Sequence, residues 1–177
     1  MESFRGRLFH SSRWDHSVAL DGKRIGVIGN GSTGVQIISA LAGRAQLLEH
    51  YVRTPQWIMP VDNTPYSMEQ REAFRSDPAA LQAAMRIEEF LANVNSYTQV
   101  ITREDMEGAA FGKASCLQNL EQGVADPVLR EKLRPDHEPL CKRLIFSPDY
   151  YQAIQHPRAA LVTDRITRIE PAGIRTN

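Results

Sequence analysis

Gly29, Gly31 and Gly34 form the spacing G-x-G-x-x-G, the part of the chain best suited to hold a phosphate. In such a turn the first glycine permits a sharp bend, and the second lets a pyrophosphate approach the backbone. The third lets a helix pack closely on a strand. Ser32, Thr33 and Gln36 fall in the same stretch. Glycines also punctuate turns that bind nothing, so the weight rests on the flanks. Arg24–Ile28 reads as a short buried strand, and Val35–Ala42 as the start of a helix whose free N–H groups and dipole would face the phosphates. A second chemical feature is Arg53, nineteen residues after Gly34 at the end of a further apolar run, 47–52. Folds that bind NAD place an acid near that offset, for the ribose 2′-hydroxyl. An arginine with Thr54 beside it suits a 2′-phosphate instead, so NADPH is expected over NADH. Glu49 is the nearest acid but stands inside the run. A solvated arginine at a strand end is the plainer alternative.

These residues need a strand–helix–strand unit to position them, and residues 24–54 have that pattern. The expected fold is α/β: a Rossmann-like, three-layer nucleotide-binding domain with a helical insertion and a terminal β-meander. Residues 1–23 read as an extended linker, 24–66 and 136–177 as the nucleotide domain, and 67–135 as the insertion. Pro55, Pro60 and Pro65 make 55–66 an ordered loop rather than a helix or central strand. Asp77-Pro78 and Asp126-Pro127 signal helix starts. Ala80, Ala83, Ala84, Ile87, Phe90, Leu91 and Val94 form an apolar stripe at helical spacing, expected to pack in a core or between domains. Ser147-Pro148 caps a short helix over 149–154, with Tyr150 and Tyr151 packing it on the sheet. Strands are expected at 160–163, 166–169 and from 173. The chain stops within that run of strands, which suggests a piece of a longer protein.

Composition excludes several functions. At 177 residues the chain supports one domain with a proper core, or little more. Lysine plus arginine equals aspartate plus glutamate at 21 each, so no general field draws it to nucleic acid or anionic membrane. No apolar run approaches the ~20 residues of a membrane span, and no secretory signal opens the chain. Cytoplasmic residence is expected. The two cysteines, Cys116 and Cys141, are too few and too separated for a zinc site and should remain thiols; no metal is expected.

Ahead of the glycine turn stand Phe4, Gly6, His10, Trp14 and Asp15, in the spacing FxGxxxHxxxWD. This resembles the fingerprint of Baeyer–Villiger monooxygenases, flavoenzymes that insert oxygen beside a ketone carbonyl. N- and S-oxygenating flavin monooxygenases carry a similar run with Tyr or Phe where Trp14 stands, so Trp14-Asp15 favours the Baeyer–Villiger branch. Gly29–Gln36 resembles that family's second, NADPH-binding glycine motif. Arg53-Thr54-Pro55 resembles its QRTP-type strand end, with Val52 in place of glutamine. Lys142-Arg143, followed by Asp149-Tyr150-Tyr151, resembles its KR…DYY segment. The resemblance implies that Lys142 helps hold the NADPH 2′-phosphate, and that Arg143 lies beside the flavin and stabilises its negatively charged C4a-peroxide. It implies that FAD is held mainly by parts outside this chain, where the family has a separate glycine motif and an aspartate assisting the arginine. The fragment alone is then expected to be inactive. Without the resemblance, Arg143 reads as a surface or nucleotide-binding arginine rather than a catalytic one. His10 and Trp14 are expected to couple cofactor binding to domain motion. The parent would take a small-molecule ketone and O₂, with no nucleic acid and no membrane span. Two alternatives stand: a fragment of an N- or S-oxygenating enzyme, or a non-catalytic NADPH-binding regulatory module.

Overall fold

A computed structural model describes residues 4–177 of the chain; the first three residues of the expected linker lie outside the described part. The central layer is a parallel three-stranded sheet in the order β1-β2-β5, from β1 (Arg24–Ile28), β2 (Leu47–Tyr51) and β5 (Ala159–Val162). In register, Val27 lies beside His50 and His50 beside Leu161. Side chains alternate between the faces of a strand, so Leu48 and His50 share the inner face while Glu49 and Tyr51 take the other. On the inner face lies α1 (Ser32–Leu41), which buries Val35, Ile38 and Leu41. Beside it lies α7 (Tyr150–Ile154), burying Tyr150, Tyr151 and Ile154.

The opposite face is covered at β1 by an antiparallel hairpin, β6 (Ile166–Glu170) and β7 (Gly173–Thr176). Gly26 allows this approach: a β-carbon there would stand 3.3 Å from both the Ile174 side chain and the Tyr51 ring. The terminal strands thus divide their roles. β5 completes the parallel sheet, and only β6 and β7 pair with each other.

Residues 55–66 contain one regular piece, the two-residue β3 (Ile58–Met59), parallel to β4 (Ile145–Phe146). The pair forms its own two-stranded sheet beside the central one, and Ile58 and Ile145 are buried in the main core. The helical stretch comprises α2 (Met68–Ser76), α3 (Pro78–Met85), α4 (Ile87–Ile101), α5 (Met106–Gly123) and α6 (Pro127–Leu133). Asp77 and Asp126 cap α3 and α6 as expected, accepting from the Ala79 and Val128 amides. The apolar stripe is divided between two helices, and its second half lies outside the core of this chain. Arg86, with φ 45°, breaks it into α3 and α4. Ile87, Phe90, Leu91 and Val94 are also exposed within this chain rather than packed into its core. By contrast Leu120 of α5, Val124 at its C-cap and Leu133 of α6 join α1, α7 and the sheet in the main core, which therefore runs across the expected boundary at 135. No described helix is long and apolar enough to cross a membrane.

Candidate functional site

The glycine turn joins the C-terminal end of β1 to the N-terminus of α1. Gly29 has φ 99°, a left-handed conformation that a β-carbon disfavours, and its N–H donates to the Tyr51 carbonyl (3.0 Å). Gly34 lies so close to the turn that a β-carbon on it would overlap the Gly29 carbonyl and stand 3.7 Å from His50 Nε2. At Gly31 the position of a β-carbon opens onto empty space. Gly31 is the N-cap of α1 and offers no side-chain acceptor, and the first turn contains no acid. The leading amides of α1 therefore lack an internal acceptor beside a clear approach for an anion. The uncapped amides beside this open space could donate to a phosphate.

Asn30 was not singled out by its type, yet it connects the two halves of the site. Its Nδ2 donates to the Thr54 carbonyl at 2.8 Å. The turn is thereby tied to the β2 end that carries Arg53, whose side chain is exposed. Glu49 accepts a hydrogen bond from the Tyr51 hydroxyl on the far face of the sheet (3.2 Å).

The linker bears its motif residues separately. His10 is exposed and caps a single 3-10 turn, Ser11–Arg13, by accepting from the Ser12 amide (3.2 Å); the linker is therefore not wholly extended. Trp14 is half-buried and meets Phe9 edge-on, with ring centroids 5.3 Å apart. Asp15 pairs with Arg7 and accepts from the Ser17 amide (3.0 Å). The hydrogen bond from the Ser17 hydroxyl, with those from Arg7 and the Ser17 amide, draws its carboxyl down to about 2. Phe4 lies against Gly6, where a β-carbon would stand 2.6 Å from the ring. The Arg5 amide donates to the Pro171 carbonyl (3.0 Å), fastening the linker to the β6–β7 turn. A cavity of 530 Å³, lined by Trp14, His16, Thr33, Gln36 and Arg44, opens between linker and helix; small-ligand pockets run from about 300 to 1,000 Å³. The structure thus brings Trp14 together with Thr33 and Gln36.

Lys142 and Arg143 lie apart from that cavity, exposed in the loop before β4. Leu144 packs with Trp57 and Cys116, flanked by Tyr97 of α4. Burial raises the Tyr97 hydroxyl above its ordinary value; Cys116 adds to the rise and the nearby Arg143 guanidinium offsets part of it. Burial pushes the Cys116 thiol up to about 11, and both cysteines are free thiols. Arg53, Lys142 and Arg143 take part in none of the ion pairs among the described residues. All three cations are open to an anionic ligand. No group of metal-ligating side chains occurs among the described residues.

His50 is fully buried, with Nε2 3.0 Å from the Gly29 carbonyl and Nδ1 3.1 Å from the Tyr150 hydroxyl. Burial holds its pKa below the ordinary imidazole value, despite an opposing contribution from the Gly29 carbonyl. As pH falls, the unfolded chain takes up this proton before the folded one does, so folding stability declines from about pH 6.5 downward. The decline continues until the folded ring also titrates. Urea midpoints at about pH 7.5 and about pH 5.5 should differ less in His50→Gln than in the natural chain.

A model of the flavin-binding monooxygenase-like family matches residues 1–95, which is more than half of the chain. The chain belongs to that family. Among other members, an uncharacterized monooxygenase of Mycobacterium tuberculosis is 40% identical over 177 residues, covering 100% of this chain and 35% of that protein. A Baeyer-Villiger monooxygenase of Streptomyces coelicolor is 30% identical over 169 residues, covering 96% of this chain and 32% of that protein. The crystal structure of OTEMO in complex with FAD and NADP superposes with a TM-score of 0.74 at 30% identity, covering 99% of this chain and 41% of that one. This family member spans about a third of the length of the curated relatives it matches. Its α/β architecture, with a parallel sheet and flanking helices, matches the corresponding part of the OTEMO structure.

Proposed function

We propose that this chain is the NADPH-binding portion of an FAD-dependent Baeyer–Villiger monooxygenase, which converts a ketone to an ester or lactone with one atom of O₂. The observation that carries the nucleotide assignment is the uncapped start of α1, tied through Asn30 to the strand end bearing Arg53. The leading amides of α1 take the pyrophosphate, and Gly31 leaves room for it. Arg53, with Thr54 at its side, takes the 2′-phosphate, helped by Lys142. Flavin, when bound by the rest of the enzyme, supplies the oxygen-activating chemistry. The task of Arg143 is electrostatic: a permanently charged guanidinium near the reacting oxygen favours its anionic form. The linker motif with Trp14-Asp15 supports the ketone branch, as does the name carried by the Streptomyces relative. The helical stretch 67–135 caps the nucleotide domain, and its exposed apolar stripe meets the remainder of the enzyme.

Arg53→Ala tests the cofactor assignment. Losing a charge-assisted pair should weaken NADPH by about 1.5–3 kcal/mol, or ~10–150-fold, with little change for NADH. Equal weakening of both would show that Arg53 does not read the 2′-phosphate. Product analysis of the full-length enzyme tests the branch: esters or lactones from ketones are expected, and exclusive N- or S-oxides would place it with the heteroatom oxygenases.

A further inference from the structure

His50 and Ser147 are the buried polar residues among those described, and Ser147 is accounted for as the acceptor of the Tyr150 amide (3.2 Å). His50 has two long-range partners, and together they fix its protonation pattern. The Gly29 carbonyl 3.0 Å from Nε2 can only accept, so Nε2 carries the ring proton and donates it. In the neutral ring Nδ1 is then an acceptor, and the Tyr150 hydroxyl donates to it at 3.1 Å. Tyr150 itself is held by the Ser147 bond and by α7, which Ser39 of α1 anchors by donating to Asp149 at 2.7 Å.

The consequence falls on the peptide between Gly29 and Asn30. The peptide is planar and trans, so its C=O and N–H point in opposite directions. With the carbonyl drawn inward to His50, the Asn30 N–H is turned away from His50. We propose that His50 is a positioning residue of the phosphate loop, holding the Gly29 carbonyl inward so that the Asn30 amide joins the leading amides of α1 as a phosphate donor. Tyr150, donating to Nδ1, supports the tautomer that the Gly29 carbonyl requires. The role rests on the loop being a dinucleotide site. The inner-face register of His50 with Leu48 explains its burial, while an aliphatic residue would fill the space without orienting the carbonyl.

The groups facing the ring are few. β1 and β5 contribute Val27 and Leu161 in register, α1 contributes Gly34, and α7 contributes Tyr150 with Tyr151 packed on it. The carboxylate at the N-cap of α7, Asp149, is engaged by Ser39. Protonation of the ring makes Nδ1 a donor and ends its acceptance from Tyr150.

The test is nucleotide titration of the natural chain, His50→Phe, His50→Gln and Tyr150→Phe. His50→Phe keeps a ring but loses both bonds, and should weaken NADPH and NADH alike by about tenfold. His50→Gln keeps a donor for Gly29 and should recover affinity to within about threefold of the natural chain, with Tyr150→Phe weakened by about threefold. The 2′-phosphate itself titrates near pH 6, so the pH readout is the ratio of natural to His50→Gln affinity, which should fall as the medium is acidified. Arg53→Ala affects NADPH alone, which separates the two residues. Amide exchange supplies a readout independent of ligand. In His50→Phe, Gly29, bonded to the Tyr51 carbonyl, should lose protection while Leu48 of the same sheet keeps it. If the natural chain binds neither nucleotide, the loop is not a nucleotide site and the donor role falls with it. If nucleotides bind, natural affinity in His50→Phe with unchanged Gly29 protection overturns the proposal. Should His50→Phe not fold, natural affinities in Tyr150→Phe together with a pH-independent ratio for His50→Gln overturn it equally.

Discussion

Gly34→Ala is expected to lower stability by about 3 kcal/mol or more, because backbone rather than a yielding side chain occupies the space for the added carbon. Helix propensity alone favours alanine over glycine by about 1 kcal/mol, so the two effects oppose each other and the overlap with the Gly29 carbonyl wins. For a chain of this size the thermal midpoint should drop by about 6–12 °C. Nucleotide binding should be lost as α1 shifts away from β1. Gly31→Ala is the internal control. Its φ of −66° suits any residue and nothing lies within 4 Å of the added carbon. Stability should hold to within about 0.5 kcal/mol, while nucleotide affinity falls because the methyl group occupies the phosphate approach. A Gly34→Ala chain as stable as the natural one would show that helix and strand are less closely packed than described.

Arg143→Ala in the full-length enzyme separates flavin reduction from oxygen transfer. Arg143 is exposed and makes no ion pair among those described, so the fold should tolerate its loss. Hydride transfer from NADPH should persist, because the glycine loop and Arg53 are untouched. Ester formation should fall by about 10²–10³-fold, the scale of removing one fixed donor from a site where charge develops. Stopped-flow flavin absorbance and product yield report the two halves independently. Normal ester yield would mean that the guanidinium does not serve the reacting oxygen. Loss of flavin reduction with it would assign Arg143 to nucleotide binding instead.

The strand–turn–helix unit was legible because its information is local. An apolar run of strand length, three glycines at fixed offsets and a following helical period together specify β1, the turn and α1. The helix starts at Asp77-Pro78 and Asp126-Pro127 were legible for the same reason, each being a cap beside a residue that fixes φ. What escaped is long-range. His50 looks like any residue of a strand, and its partner Tyr150 stands 100 residues away. Its burial opposite α7 was the only signal, available through the alternation of β2 once the inner face was known. Asn30 likewise acts through a carbonyl 24 residues on. The break between α3 and α4 carried no glycine or proline to mark it, since Arg86 adopts the left-handed conformation itself. The apolar stripe from Ile87 to Val94 correctly announced a helix, but periodicity names a face and not what covers it.

The most direct measurement is the amide spectrum of the chain, labelled with ¹⁵N, as NADP⁺ is added. The account predicts the largest shifts at Asn30, Gly31, Ser32, Thr33 and Gly34, with Arg53 responding to NADP⁺ and not to NAD⁺. Binding that leaves those amides unmoved, or moves them identically for both nucleotides while Arg53 stays silent, would contradict it.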